Sequence, residues 1–266
     1  MIRSFCLTVT AAAIGIATPA LAQDEPPRSS PRLSIGVGAQ ILPSFPGGDD
    51  YEIGPLFTGF SRRDGEPIPL RTPDDGFGIS LLGGDSAIDF GPLLQFQSER
   101  KEEDVGAAVG DVDFTVEAGA FINFNLGESF RIRLEGQKGI GGHDSLVGTI
   151  AADFAIRPSI DTLVTIGPRV RVNDDDYADA YFGITPAVAA ATGLPVYDPE
   201  GGVRAVGLVA GVTHQLTRSF GVYGYAGYDR LIGDAADSPI VQNFGSEDQF
   251  SAGLALFFTF GLGDGL

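Results

Sequence analysis

Apolar and polar residues alternate along most of this chain. In 249–260, Phe250, Ala252, Leu254, Leu256, Phe258 and Phe260 fall on one side, and Gln249, Ser251, Gly253, Ala255, Phe257 and Thr259 on the other. That is the period of a β-strand. Phe257 is the one bulky apolar residue on the otherwise small or polar side. The same pattern recurs at Leu33–Ile41, Val112–Asn125, Phe130–Glu135 and Val164–Val172.

Alternation is shared by soluble sandwiches, whose apolar faces pack on a second sheet, and by barrels, whose apolar faces meet lipid. Two features favour the barrel. The polar sides are rich in Gly, Ser and Thr mixed with charges of both signs, as suits an enclosed lumen. The stretches 112–125 and 160–173 also outlast the ~9 to 11 residues that cross a bilayer, against ~5 to 6 in a typical globular strand.

Link lengths supply a parity test. Barrels of this class put short turns and both termini in the periplasm and longer loops outside. Counting back from 249–260, the short links Leu216–Ser219, Arg157–Ile160 and Asn125–Ser129 fall inside, and the long links 232–248, 174–202, 140–145 and 99–111 fall outside. The turns 83–86 and 62–65 keep this parity only if Pro67–Arg71 is also a strand. The expectation is an all-β, closed antiparallel transmembrane β-barrel of twelve strands. Ten is the fallback, because Pro67 and Pro69 each remove a ladder donor.

The N-terminus supports an exported chain. Residues 1–22 read as a signal peptide, with a basic start, an apolar run shorter than the ~20 residues of a spanning helix, and Ala20-Leu21-Ala22 at the cleavage site. Residues 23–31 read as a flexible periplasmic leader, 32–260 as the barrel and 261–266 as a short tail. The single cysteine, Cys6, lies within the signal, so neither a disulfide framework nor a thiol nucleophile is expected. A formal net charge of −18 and only two lysines, Lys101 and Lys138, argue against nucleic-acid binding. Tryptophan is absent, which leaves Phe and Tyr to form any interfacial girdle.

Candidate residues fall in two sets. Asp113, Glu117, Arg131, Arg133, Glu135, Asp153, Arg169 and Arg171 come from four consecutive strands and all project inward, as a mutually neutralising lumen network or as the selectivity lining of a narrow path. On the outer loops, His143, Tyr181, Phe182, Pro195, Tyr197, Asp234, Asp237, Ser238 and Pro239 are expected at the surface, where they serve loop packing or form a lid or docking surface, with a short helix expected at Pro186–Thr192. His143-Asp144-Ser145 has the side-chain types of an activated hydroxyl. A third member is missing, and the pair is not followed by the Asn-Gly found in twelve-stranded outer-membrane phospholipases. The run Asn173–Asp176 is dense in oxygen ligands but lacks the spacing and glycine of a calcium loop, so it reads as a solvated acidic loop. No metal and no cofactor is expected.

The outer-loop stretches "GIGGHDSLVG" (139–148), "DAYFGITPAVAAATGLPVYDPEGGVRAVGL" (179–208) and "RLIGDAADSPIVQNFGSEDQFSAGLALFF" (230–258) resemble, in order and spacing, the MipA/OmpV family, also described as MltA-interacting proteins. The resemblance runs from about Leu33 to Phe260. Two features depart from it: Asp144 and Ser145 follow Gly-Gly-His where the family often has a basic residue and glycine, and "GLGDGL" follows the terminal aromatic Phe260. The resemblance implies a non-enzymatic protein of the outer membrane of a Gram-negative bacterium, among lipid and lipopolysaccharide. It also implies a scaffold joining a murein transglycosylase to a bifunctional murein synthase, with porin-like or adhesive roles in other members.

Overall fold

The computed structural model describes residues 30–83 and 86–261. The segments expected as signal peptide, most of the leader and most of the tail, and part of the 83–86 turn, lie outside the described residues. Eleven strands form one antiparallel sheet: β1 Pro31–Pro43, β2 Tyr51–Arg63, β3 Phe77–Gly78, β4 Ile88–Gln97, β5 Thr115–Leu126, β6 Phe130–Gly141, β7 Leu146–Ser159, β8 Thr162–Asn173, β9 Gly202–Gln215, β10 Phe220–Leu231 and β11 Asp248–Gly261. Their order is β2-β1-β11-β10-β9-β8-β7-β6-β5-β4-β3. The first and last strands are therefore laced together, from Arg32 opposite Gly261 to Ile41 opposite Ala252.

The sheet curls so that one face encloses an axis. Leu56 and Phe60 of β2, Ala155 of β7, Leu163 of β8, Tyr223 of β10, and Ala255 and Phe257 of β11 meet in one buried cluster. Phe257, the exception on the polar side, is 1% exposed there and packs edge-on against Phe60, ring centres 5.4 Å apart. The other face carries the apolar set, including Ile35, Val37, Phe57, Phe90, Ile150, Phe154, Leu254, Leu256 and Phe258, all exposed. The expected alternation is thus realised with the apolar side outward.

Among the described residues there are eleven strands against the twelve expected, because Pro67–Arg71 is not a strand. After β2 the chain turns into the enclosed space. Ile68 donates its backbone N–H to the Ile160 carbonyl at 3.1 Å, and its side chain, with that of Leu70, joins the cluster around Phe257. Pro67 and Pro69 have no N–H to give a ladder, so a wall position would leave two neighbouring carbonyls unpaired. The segment then rises to a turn at Thr72–Asp75, closed by the Asp75 carboxylate accepting from the Thr72 N–H (3.0 Å) and hydroxyl (2.6 Å). Gly76, at φ +62°, releases the chain downward into β3. Phe77 pairs with Leu94, and the ladder continues through the Ile79 and Leu81 N–H groups to Pro92 and Phe90. The expected parity is kept: the segment makes the twelfth pass, but inside the wall. No ladder joins β2 to β3 among the described residues.

Short turns gather at one end: Gly127–Ser129, Ile160–Asp161 and Leu216–Ser219. Long loops at the other end carry helices α1 Glu102–Val105, α2 Asp175–Phe182, α3 Pro186–Thr192, α4 Asp234–Asp237 and α5 Pro239–Phe244. They pack as a dome on two buried clusters, one around Tyr177, Tyr181, Phe182 and Val241, the other around Phe45, Val105, Ile184 and Ile240. The helix expected at Pro186–Thr192 is present with its full set of signals. Thr185 caps it by accepting from the Val188 N–H, proline stands in its first turn, and Gly193 ends it at φ +77°.

Candidate functional site in the lumen

Alternation along β6, β7 and β8 places Arg131, Arg133, Asp153, Arg169 and Arg171 on the enclosed face, and pairing aligns Arg131 with Asp153. Asp153 lies between two arginines. Its Oδ2 accepts from Arg131 at 2.6 Å, and its Oδ1 lies 2.8 Å from Nη1 of Arg169. One carboxylate cannot balance two buried guanidinium groups, and an unpaired buried charge costs on the order of several kcal/mol.

The balance comes from the inner segment. Asp75 meets Arg131 in a two-pronged contact of 2.9 and 2.7 Å, and Asp74 meets Arg169 in another of 2.7 and 2.9 Å. Arg133 donates to the Asp75 carbonyl at 3.0 Å, contacts Glu135, and lies over the Phe121 ring at 4.1 Å. Arg171 reaches Asp229 of β10 at 2.8 Å and Asp74 at 3.6 Å. The lumen network therefore extends beyond the residues expected of it, to Asp74, Asp75 and Asp229. "TPDDG" at 72–76 is a turn signature, and that signal could have drawn attention to the two aspartates.

Two expected members lie elsewhere. Asp113 is exposed, ahead of β5, because the alternation breaks between Val112 and Thr115: Val112 makes an isolated bridge to Arg100 and points into the dome. Glu117 faces inward but pairs with His143, Nε2 to Oε1 at 3.1 Å.

The dome corrects the second set. His143, Tyr181, Phe182, Ser238 and Pro239, expected on the outer surface, are buried, with Tyr181 at 0% exposure and His143 at 5%. Tyr177 and Tyr181 pack with their rings tilted by 37° and centres 4.6 Å apart, and His143 sits edge-on to Tyr177 at 5.1 Å. The buried cluster under the loops, with Arg204 over the Tyr177 ring at 4.6 Å and Arg100 over the Tyr181 ring at 5.6 Å, shields these rings from water, and burial pushes the hydroxyls of Tyr177 and Tyr181 above the usual tyrosine range. Pro195, Asp234 and Asp237 are exposed and Tyr197 is half-buried, donating its hydroxyl to the Asp234 carbonyl at 2.9 Å.

His143 and Ser145 are close but wrongly aimed for nucleophile activation. The Ser145 hydroxyl donates to the His143 carbonyl, while Nδ1 of His143 accepts the Ser145 backbone N–H at 3.2 Å. The acidic run is a helix start: Asp174 caps α2 by accepting from the Tyr177 N–H at 3.1 Å, and Asp175 and Asp176 occupy its first turn, where the helix dipole favours negative charge. Among the described residues no group of three or more His, Cys, Asp or Glu is placed to hold a metal ion.

The family model described as MltA-interacting protein MipA matches residues 35–260. The chain belongs to this MipA family. No curated protein matches it. Among solved structures it is similar to an outer membrane channel from Pseudomonas putida F1 (9% identity, 92% of this chain and 100% of that one, TM-score 0.40). It is also similar to OmpT of Vibrio cholerae (9%, 86% and 97%, 0.38) and to OprG of Pseudomonas aeruginosa (8%, 87% and 98%, 0.27). The ladders described above, and not these distant likenesses, define the fold. Membership of the MipA family, with an outward apolar face on every wall strand, makes this an outer-membrane protein of the barrel type.

Proposed function

We propose that this MipA-family barrel is a non-enzymatic anchor that holds a murein transglycosylase and a murein synthase at the outer membrane of a Gram-negative bacterium. Its apolar face would contact lipid, and its dome would stand among lipopolysaccharide. The observation that carries the reading is the filled axis: a segment of the chain runs inside the wall and a helical dome covers the far end, which suits a platform better than a standing pore. The family description, MltA-interacting protein, supports the choice of partner.

The partner surface would lie on the short-turn end, and the geometry narrows it. Arg62 is turned inward, donating to the Glu66 and Ile160 carbonyls and to Asp161, each at 2.9 Å. The turns Gly127–Ser129 and Leu216–Ser219 and the exposed Arg63 are left to meet a partner. An interface of that size would be small and its complexes short-lived.

Capture of a murein transglycosylase from detergent extracts tests this. Exchanging the sequences of the two turns should abolish capture, while trimming residues 186–193 of the dome should leave it intact. Capture that survives the turn exchange, or that follows the dome instead, would overturn the reading.

A further inference from the structure

The contacts of Asp74 and Asp75 raise a question that anchoring does not answer: why should two neighbouring carboxylates fill two arginine forks inside the wall? A segment that only needed to fill space would do so with apolar side chains, as Ile68 and Leu70 do lower down. We propose that the segment 64–76 is a displaceable plug, and that the forks of Arg131 and Arg169 are a binding site for a small organic dianion, a dicarboxylate, for which Asp74 and Asp75 stand in.

Three observations carry this. The plug is not part of the wall: between Pro67 and Gly76 its one backbone hydrogen bond to a wall turn or strand is that of Ile68 to Ile160, among the described residues. Its upper half is held by side chains, chiefly the paired contacts of Asp75 with Arg131 and of Asp74 with Arg169. Contacts of that kind can be exchanged for the same contacts with a solute, whereas a β-ladder cannot.

Second, the arginines are positioned without the plug. Asp153 holds Arg131 and Arg169 from behind at 2.6 and 2.8 Å, and Arg131 and Arg169 sit on wall strands β6 and β8. Withdrawal of the plug would leave two oriented forks, matched to carboxylate geometry, facing the axis.

Third, the plug borders the unlaced gap. Its ends are tied, by the Asp64 N–H to the Ser30 carbonyl at 3.1 Å and by the pairing of Phe77 with Leu94, but no ladder joins β2 to β3 among the described residues, so the stretch between those ends lacks the hydrogen bonding that would pin a wall strand. The inference rests on the barrel fold and is independent of the anchoring role.

The test reads plug position directly. In the full chain carrying Cys6→Ser and Pro73→Cys, a membrane-impermeant maleimide reports exposure of the plug, since Pro73 packs against Gly211 of β9. Succinate should speed labelling several-fold over sodium chloride at equal ionic strength. Asp74→Asn with Asp75→Asn should speed it about tenfold without succinate, the change in open population that roughly 1.4 kcal/mol brings, and the response to succinate should persist, because both arginine forks remain. Equal acceleration by chloride, or no response in either background, would overturn the proposal.

Where the cysteine variant does not fold, hydrogen exchange on the unmodified chain reads the same motion. Succinate should accelerate exchange at the Ile68 and Asp75 amides and leave the β8 amides unchanged; unchanged exchange at both plug amides would overturn it.

Discussion

Arg169 and Asp74 stand 95 residues apart in the chain and meet as a two-pronged pair, Nε to Oδ2 at 2.7 Å and Nη2 to Oδ1 at 2.9 Å. The arginine is fully buried and Asp153 lies behind it. Arg169→Ala would strip both carboxylates of a partner, and breaking a buried pair on one side costs about 3–5 kcal/mol. Asp74→Asn should cost less, because Asp74 is partly exposed and an amide oxygen still accepts one bond. Urea unfolding in lipid vesicles, followed by far-UV circular dichroism because the chain has no tryptophan, should place Arg169→Ala well below Asp74→Asn.

Phe257 and Phe258 are neighbours with opposite surroundings, the first 1% and the second 43% exposed. Phe257→Ala would open a cavity among Phe60, Leu163 and Tyr223, at about 3–5 kcal/mol. Phe258→Ala removes a ring that faces outward and should cost clearly less. A charge reverses the ranking of mechanisms: Phe258→Arg should cost up to about 2–4 kcal/mol if the position lies near the bilayer centre and less near the interface. Vesicle refolding with heat-dependent gel mobility as readout ranks all three, and an equal loss for both alanine variants would mean that the two rings do not lie on opposite faces of the wall.

Asp174 serves two elements, capping α2 through Oδ1 and accepting the Leu146 N–H through Oδ2 at 2.7 Å. Asp174→Ala should cost about 1 kcal/mol for the cap alone. The loss should be local. Hydrogen exchange at Tyr177 and protease cleavage within 175–182 should both quicken, while the wall strands keep their protection.

How much of the fold is legible in the sequence follows from particular residues. The wall strands are readable because a period of two with one apolar side has few other interpretations over ten or more residues, and α3 because Thr185, Pro186 and Gly193 mark both its ends. The inner segment is not. Ile68 and Leu70 alternate with Pro67 and Pro69 whether they face lipid or lumen, and nothing local distinguishes the two. The lumen charges also look self-balanced, four arginines against Asp113, Glu117, Glu135 and Asp153. Asp113 falls outside the strand and Glu117 turns to His143, so the real deficit, filled by Asp74, Asp75 and Asp229, appears only once the register is fixed. The dome residues read as surface because loop sequence does not reveal that four long connections share a core.

Tyr181 offers the last prediction. Its hydroxyl is buried and has no hydrogen-bond partner among the described residues, and burial raises its pKa above the ordinary tyrosine value of about 10. The neutral form is therefore favoured in the closed dome. Below about pH 10 the hydroxyl is neutral whether the dome is closed or open, and its contribution is fully present. As pH rises beyond that, the opened dome ionises its tyrosine while the closed one does not, so closure weakens by up to about 1.4 kcal/mol per pH unit for this group. Tyr177, shifted the same way by burial, adds to the trend. Tyr181→Phe removes an unsatisfied buried hydroxyl, so at neutral pH it should be neutral or stabilising by about 1 kcal/mol. Above about pH 10 the protease sensitivity of the dome should rise less steeply in the variant than in the wild type, by close to one proton per opening event. Parallel pH profiles for the two proteins would show that Tyr181 is ionised, or hydrated, in the closed state.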